Sequence, residues 1–133
     1  MDFDLNEEQR LLADSVRRFV ANDYGFEVRK KIVASADGMS AEAWRTIAEL
    51  GLLALPLPTA HGGFGGGAVD LMAVMEAFGD ALVVEPYLST LACARAIARG
   101  GSESLQASTL PAVAEGAMRL ALAEVGMFAV ATT

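Results

Sequence analysis

Helix signals follow one another along this chain from Asn6 to Gly116, and only one short strand-like segment comes after them before Thr133. The first signal is the clearest, because Asn6 followed by Gln9 has the spacing of a capping box. Apolar residues at a helical period then place Val16 and its neighbours on one face of a helix over about residues 7–21. The pattern predicts an all-α fold of about six helices, with the start of a β strand at the C-terminus, and it is typical of the front part of a larger protein.

The remaining helix boundaries depend on capping residues and helix breakers. Ser40 and Ser102 can each cap a helix through the side-chain oxygen, and Gly51 can end one in a left-handed conformation. Pro86 suits the first position of a helix, whereas Pro111 is expected to bend the helix that contains it. The predicted helices cover about residues 7–21, 26–34, 40–51, 71–82, 86–99 and 102–116, and a weak strand covers residues 119–123.

A loop rich in proline and glycine, without an acidic or basic charge, separates the third helix from the fourth at residues 52–67. Residues 63–68 of this loop fit the pattern G-x-G-x-x-A, in which glycines can allow backbone N–H groups to reach a pyrophosphate. The preceding Leu-Pro-Leu-Pro at residues 55–58 cannot form a central parallel strand, and no βαβ pattern surrounds it. We therefore interpret the segment as an ordered loop on apolar surface and not as a nucleotide site.

Composition and charge exclude several classes of function. The net charge is −7, and the ten basic residues are scattered among seventeen acidic ones, which argues against binding to nucleic acid. Hydrophobic residues make up 53% of the chain, yet no uninterrupted apolar stretch is long enough to predict a membrane span. We expect this apolar surface to contact another protein. The acidic N-terminus lacks the features of a signal peptide, and Cys93 has no cysteine partner, so a cytoplasmic location is predicted.

Few side chains in this sequence suggest chemistry by themselves. His61 is the single histidine and has no partners at ligand spacing, so no metal site is predicted. Cys93 has no nearby base, and buried packing is its default interpretation. Ser89, Cys93 and Ala96 share one face of the fifth helix and form a line of small residues. This line either admits an apolar ligand or allows close helix packing, and the sequence leaves both interpretations open.

Several motifs, taken in order, resemble those of the acyl-CoA dehydrogenase family. They are DLNEEQRLL at residues 4–12, AELGLL at 48–53, HGGFG at 61–65, VMEAFGDAL at 74–82 and VEPYL at 84–88. The resemblance covers residues 3–124 and is to the N-terminal helical domain of the family. Within the family, the last two motifs are most similar to the small subunit of pimeloyl-CoA dehydrogenase.

The resemblance implies an oxidoreductase that removes an α proton and a β hydride from an acyl-CoA, with FAD as the hydride acceptor and an electron-transfer flavoprotein as partner. In the family, FAD lies between a middle β domain, a C-terminal helical domain and a neighbouring subunit, and the catalytic glutamate belongs to the C-terminal domain. No catalytic residue is therefore assigned here. By the same resemblance, the substrate-pocket candidates are Tyr87, Ser89, Thr90 and Cys93, and the cofactor-binding candidates are Leu122, Ala123, Glu124 and Val125.

The resemblance also implies a domain division, with the N-terminal helical domain at residues 1–117 and the start of a middle β domain at residues 118–133. The expected function is the N-terminal part of a FAD-dependent acyl-CoA dehydrogenase. It would help to form the acyl pocket and subunit contacts in a homo- or hetero-oligomer, and would be inactive alone. An alternative is a helical interaction module that docks a full-length dehydrogenase subunit without binding a ligand. A third is a truncated product with an uncovered strand edge near Phe128.

Overall fold

The computed structural model describes residues 4–124 and 128–132, which form two compact units. One unit contains residues 4–43 and 67–85, and the other contains residues 44–66 and 86–124 with the second strand. The described elements are α1 (Glu7–Asp23), α2 (Phe26–Ala34), α3 (Ala41–Glu49), a short 3-10 helix (Thr59–His61), α4 (Ala68–Asp80), α5 (Tyr87–Gly100), α6 (Glu103–Ala114), β1 (Leu120–Glu124) and β2 (Phe128–Thr132).

The first unit is built on α1 and α4. The predicted capping box is present, because Asn6 Oδ1 accepts a hydrogen bond from the Gln9 backbone N–H and the Gln9 side chain accepts one from Asn6. Gln9 also donates to Asp70 at 3.0 Å, and Arg17 lies 3.7 Å from Glu76. These contacts advance in the same direction along both helices, so α1 and α4 run parallel. Helix α1 extends to Asp23, two residues beyond its predicted end at residue 21.

A buried polar group lies at the carboxyl end of α1. Tyr24 follows that helix, and its hydroxyl oxygen accepts a hydrogen bond from the Val84 N–H at 3.1 Å. Glu85 follows Val84 in the chain and is 5% exposed. Its Oε1 accepts a hydrogen bond from the Ser40 N–H at 3.0 Å. Burial and the adjacent Glu85 carboxylate raise the pKa of Tyr24 to about 12. Ser40 in turn caps α3 as predicted, because its Oγ accepts from the Ala43 N–H at 3.1 Å.

The second unit has a continuous apolar core made by α5, α6, β1 and the loop before α4. Trp44, on the part of α3 that belongs to this unit, donates from its indole N–H to the Gly116 carbonyl at 2.9 Å. Gly116 has φ +76°, and this left-handed conformation reverses the chain after α6. The core residues are Ala54, Leu57, Cys93, Ala94, Ile97, Leu110, Val113, Ala114 and Leu120.

Strands β1 and β2 form an antiparallel pair with Leu120 opposite Thr132, Leu122 opposite Val130, and Glu124 opposite Phe128. The strand predicted at residues 119–123 is confirmed as β1 within one residue at each end, but β2 was not predicted. Its sequence, Phe-Ala-Val-Ala-Thr, contains two alanines, which give little alternation between apolar and polar positions.

The predicted helices are all present, with a small difference at Pro86. Pro86 has ψ 49° and precedes α5 as its N-cap, so the first helical residue is Tyr87 and not Pro86 as predicted. Helix α6 continues through Pro111. Ser102 caps α6 by accepting from the Leu105 N–H at 3.2 Å, as its position in the sequence predicted. Within the described ranges, no helix has the length and apolar character needed to cross a bilayer.

Candidate functional site

Tyr87, the first of the predicted pocket residues, is buried at the start of α5. Its hydroxyl donates to the Leu52 carbonyl at 2.9 Å, and only 2% of the residue is exposed. Burial raises the pKa of this phenol, so the hydroxyl stays neutral and remains a hydrogen-bond donor. In this arrangement Tyr87 fixes the loop that begins after α3.

Thr90 joins α5 to β1 through two hydrogen bonds with a single residue. Its Oγ1 accepts from the Leu120 N–H at 3.2 Å and donates to the Leu120 carbonyl at 3.3 Å. Thr90 is fully buried, so water does not compete for these bonds. A hydroxyl can serve as donor and acceptor at once, which lets one side chain satisfy both backbone groups of Leu120.

Ser89 and Cys93 lie one turn apart on α5 but in different surroundings. Cys93 is 1% exposed within the apolar core, and burial raises the pKa of its thiol, which disfavours the reactive thiolate. Ser89 is half-buried, and its Oγ donates to the Pro86 carbonyl at 3.2 Å. Ala92 and Ala96 are exposed. The small residues of α5 on this side that lie outside the core are therefore Ser89, Ala92 and Ala96. Cys93 instead packs inside the core.

The predicted cofactor-binding residues Leu122, Ala123 and Glu124 belong to β1, whereas Val125 lies outside the described residues. In an antiparallel ladder, both backbone polar groups of a residue point to the same edge, and the edge alternates along the strand. Since both groups of Leu120 point to Thr90, those of Leu122 and Glu124 point to the same edge, away from β2. The backbone N–H and carbonyl groups of Ala123 point toward Ala129 of β2.

On this edge of β1, the backbone N–H and carbonyl groups of Leu122 and Glu124 are not used by β2. The polar side of an isoalloxazine ring carries carbonyl oxygens and an N–H group, which backbone amides can match without help from side chains. Leu122 has no polar side-chain group, so the backbone is the part of this residue that can hydrogen-bond to FAD. Leu122 could therefore meet the FAD that the resemblance implies through its backbone alone, as any unpaired strand edge could.

The glycine-rich loop uses its own N–H groups internally. Gly65 donates to the Leu57 carbonyl at 2.9 Å, and Gly66 donates to the Leu55 carbonyl at 2.7 Å. A Cβ placed on Gly63 would lie 2.1 Å from the Leu57 carbonyl oxygen, so glycine is required there by close approach of the chain to itself. These contacts support the interpretation of an ordered loop. His61 ends the 3-10 helix of the same loop.

An open cavity of about 290 Å³ lies in the first unit and contains none of the predicted site residues. Leu82 contributes to it with φ +53°, an uncommon conformation for a residue other than glycine. Phe26 and Leu82 are 65% and 56% exposed, which sequence periodicity alone did not indicate. The lining residues are Val20, Ala21, Tyr24, Gly25, Phe26, Asp80, Ala81 and Leu82.

Comparison with known proteins gives the family. Residues 6–117 match the sequence model of a family described as the acyl-CoA dehydrogenase N-terminal domain. The chain belongs to the acyl-CoA dehydrogenase family. Acyl-CoA dehydrogenase IpdE2 from Mycobacterium tuberculosis is 33% identical over 104 residues, and acyl-CoA dehydrogenase FadE12 from the same species is 34% identical over 124 residues.

These matches span most of this chain but about a third of each relative. They cover 77% and 89% of this chain, against 33% of IpdE2 and 30% of FadE12. A chain in the crystal structure of the ChsE4–ChsE5 complex from M. tuberculosis is 30% identical, with a TM-score of 0.85, over 96% of this chain and 36% of that one. The family resemblance and the predicted helical fold are confirmed, whereas the pimeloyl-CoA subtype stays a prediction.

Proposed function

We propose that this chain forms the N-terminal part of a FAD-dependent acyl-CoA dehydrogenase that converts an acyl-CoA thioester to its α,β-unsaturated product. The observation that supports it is the double hydrogen bond between Thr90 and Leu120. It fixes the helix assigned to the acyl pocket directly against the strand assigned to the cofactor. Correct relative placement of substrate and cofactor contributes much of the rate in such a reaction. FAD, when bound, would accept the hydride that leaves the β carbon.

The part of this chain in the reaction is binding and orientation. We propose that the face of α5 around Ser89, Ala92 and Ala96 contacts the acyl chain, because small side chains leave room for it. The buried Tyr87, Thr90 and Cys93 would support that face from behind. Residues 118–133 would begin the middle β domain, and the base that takes the α proton would come from outside residues 1–133.

The proposed partners follow from the same assignment. One relative of known structure is a complex of two different chains, ChsE4 and ChsE5. We propose a homo- or hetero-oligomer with dehydrogenase subunits, electron transfer to an electron-transfer flavoprotein in the complete enzyme, and a cytoplasmic location. A dicarboxylic acyl-CoA is the substrate class that the pimeloyl-CoA subtype would imply.

Ser89 allows a matched test of the pocket assignment. Ser89→Leu would fill the small-residue face of α5, and Ser108→Leu is its control on α6. Both serines donate from Oγ to the carbonyl three residues earlier, at 3.2 Å from Ser89 and 3.1 Å from Ser108. Titration calorimetry with octanoyl-CoA and pimeloyl-CoA, in the presence of FAD, should show weaker binding for Ser89→Leu only. Equal affinities in all three proteins would contradict the pocket assignment.

The alternative function is a docking module without ligand contacts. Its supporting observation is that three of the four predicted pocket side chains are buried within the fold, and two of those three hydrogen-bond to backbone. Size-exclusion chromatography with absorption spectra after incubation with FAD distinguishes the two functions. A flavin band that co-elutes with the protein supports the enzymatic assignment. A colourless protein that neither takes up FAD nor binds either acyl-CoA, but still associates with a dehydrogenase subunit, supports docking.

A further inference from the structure

We propose that Thr90 is a positioning residue that fixes the register of β1, and that it does so through its hydroxyl and not through contact with the acyl chain. By fixing this register, Thr90 would also place the backbone groups of Leu122 and Glu124 on the edge that faces away from β2. The proposal that this edge contacts FAD rests on the proposed function above. The proposal that Thr90 sets the register of the strand does not.

The first argument is the geometry of the contact. In an antiparallel sheet, a hydrogen-bonded pair of residues exchanges two bonds, one in each direction. The Thr90 hydroxyl makes the same two bonds to Leu120, at 3.2 and 3.3 Å, so it takes the place of a neighbouring strand at this position. A shift of β1 by one residue would turn the next pair of backbone groups the other way and break both bonds.

The second argument is that the position of Leu120 is determined twice. Its side chain is 2% exposed and belongs to the apolar core, while its backbone is bonded to Thr90. A shift of β1 by two residues would bring Leu122 to this position and carry Leu120 out of the core. Leu122 is 43% exposed in its present place. A two-residue shift would thus keep a leucine in the core and both bonds to Thr90, so core packing and the hydroxyl together oppose a shift of one residue, which would bring Arg119 or Ala121 to this position.

The third argument concerns which chemical group is required. Valine has nearly the shape of threonine but lacks the hydroxyl, so it would leave a buried N–H and a buried carbonyl without partners. Serine lacks only the methyl group and retains the donor and acceptor. If Thr90 acts through its hydroxyl, Thr90→Ser should keep the two hydrogen bonds to Leu120 that Thr90→Val loses. A role in packing alone predicts the opposite order, because valine preserves the volume.

Hydrogen exchange of individual backbone amides tests this proposal with the full chain. We compare wild type, Thr90→Val and Thr90→Ser, with Thr109→Val as the control. Thr109 is another buried threonine, on α6 instead of α5. In Thr90→Val, the amides of Leu120, Ala121 and Ala123, which bond to Thr90 or face β2, should exchange about tenfold faster relative to amides of α6, which is the effect expected from the loss of two buried hydrogen bonds. Thr90→Ser should restore most of the protection.

Two results would overturn the proposal. One is that Thr90→Val accelerates exchange in β1 and α6 equally. The other is that Thr109→Val has the same selective effect on β1. FAD uptake, measured by absorption in the same variants, separates this proposal from the proposed function. If wild type takes up no FAD, the cofactor assignment fails while the exchange rates still decide the role of Thr90. If wild type takes up FAD, Thr90→Val should lower uptake and Thr90→Ser should restore it.

Discussion

The two units of the chain satisfy their buried polar groups to different extents. In the unit with α5, α6 and β1, the hydroxyls of Tyr87 and Thr90 and the indole of Trp44 all bond to backbone groups of loops or strands. In the unit with α1, α2 and α4, the buried Tyr24 and Glu85 side chains lie against each other, and Glu85 Oε2 meets no backbone donor among the described residues. A buried carboxylate oxygen in contact with a side-chain hydroxyl alone is less fully satisfied than the groups bonded to backbone in the other unit.

The contacts between helices differ in the same way. In the first unit, the bonds from α1 and α2 to the region of α4 are half-buried or exposed, as for Gln9 with Asp70, Arg17 with Glu76, and Arg29 with the Leu82 carbonyl. The second unit is joined by an uninterrupted apolar cluster from Ala54 to Leu120. Since α1 and α4 also bury apolar side chains such as Val16 and Val74, both units have a core, and the difference that we infer concerns their polar contacts only.

Leu110→Ala should have the largest effect on stability. Leu110 is fully buried in the cluster, and removal of a buried leucine side chain costs about 2–5 kcal/mol in general. Leu105→Ala is the control, since Leu105 is on the same helix but 44% exposed, and it should cost less than about 1 kcal/mol. Urea unfolding monitored by Trp44 fluorescence measures both. Similar costs for the two variants would show that the core is less well packed than the structure indicates.

Two glycine substitutions should have opposite signs in the two units. Gly116→Ala would place a Cβ 2.7 Å from Ala48 Cβ at φ +76°, so we expect a loss of about 2 kcal/mol or more from backbone strain and contact. Gly79 is within α4, and a Cβ added there meets nothing within 4 Å. Gly79→Ala should stabilise the protein by about 0.5–1 kcal/mol through helix propensity. Thermal unfolding that shows loss in both variants would argue against the described surroundings of Gly79.

Tyr24→Phe should have an intermediate effect that depends on pH. Loss of the hydroxyl leaves the half-buried Val84 N–H without its acceptor, at a cost of about 1–2 kcal/mol near neutral pH. The pKa of Tyr24 is raised from 10.0 to about 12 in the folded state, so the fold favours the protonated phenol. This contribution to stability is complete below pH 10 and is lost as pH rises toward 12.

Urea unfolding at pH 9 and at pH 11.5 tests the sign of this dependence. Wild type should lose more stability than Tyr24→Phe over this interval, because the variant has no phenol to ionise at this position. Tyr87→Phe is the comparison from the other unit, since burial raises the pKa of Tyr87 in the same direction. If removal of Tyr24 leaves the pH dependence unchanged while removal of Tyr87 abolishes it, the linkage belongs to the second unit alone.

The sequence predicts most elements of this fold because their signals are local. The capping box at Asn6 and the serine caps at Ser40 and Ser102 each involve residues three positions apart, so they are visible without knowledge of tertiary structure. The predicted start of α5 at Pro86 is one residue too early, because the sequence does not show the backbone angles of this proline.

The sequence predicts much less of the candidate site. The contact between Thr90 and Leu120 joins residues thirty positions apart, and no local pattern marks it. The family resemblance selected Thr90 as a pocket residue, but only the fold shows that its hydroxyl bonds to a strand. The cavity near Phe26 was missed because it is formed by the ends of three helices, α1, α2 and α4, and a turn at Leu82, whose left-handed conformation has no sequence signal.

Arg17→Ala should have the smallest effect, although Arg17 contacts two acidic residues. Its guanidinium lies 3.7 Å from both Asp14 and Glu76, and its side chain is 54% exposed, so solvent screens both pairs. Exposed pairs of this kind contribute about 0–1 kcal/mol, and we expect less than about 0.5 kcal/mol here. The measurement is urea unfolding at low and high salt. A loss above 1 kcal/mol that disappears in high salt would mean that surface charge is a principal source of stability in the first unit. A negligible loss would leave the burial of Ala73, Val74, Ala77 and Phe78 on α4 as the larger source of stability there.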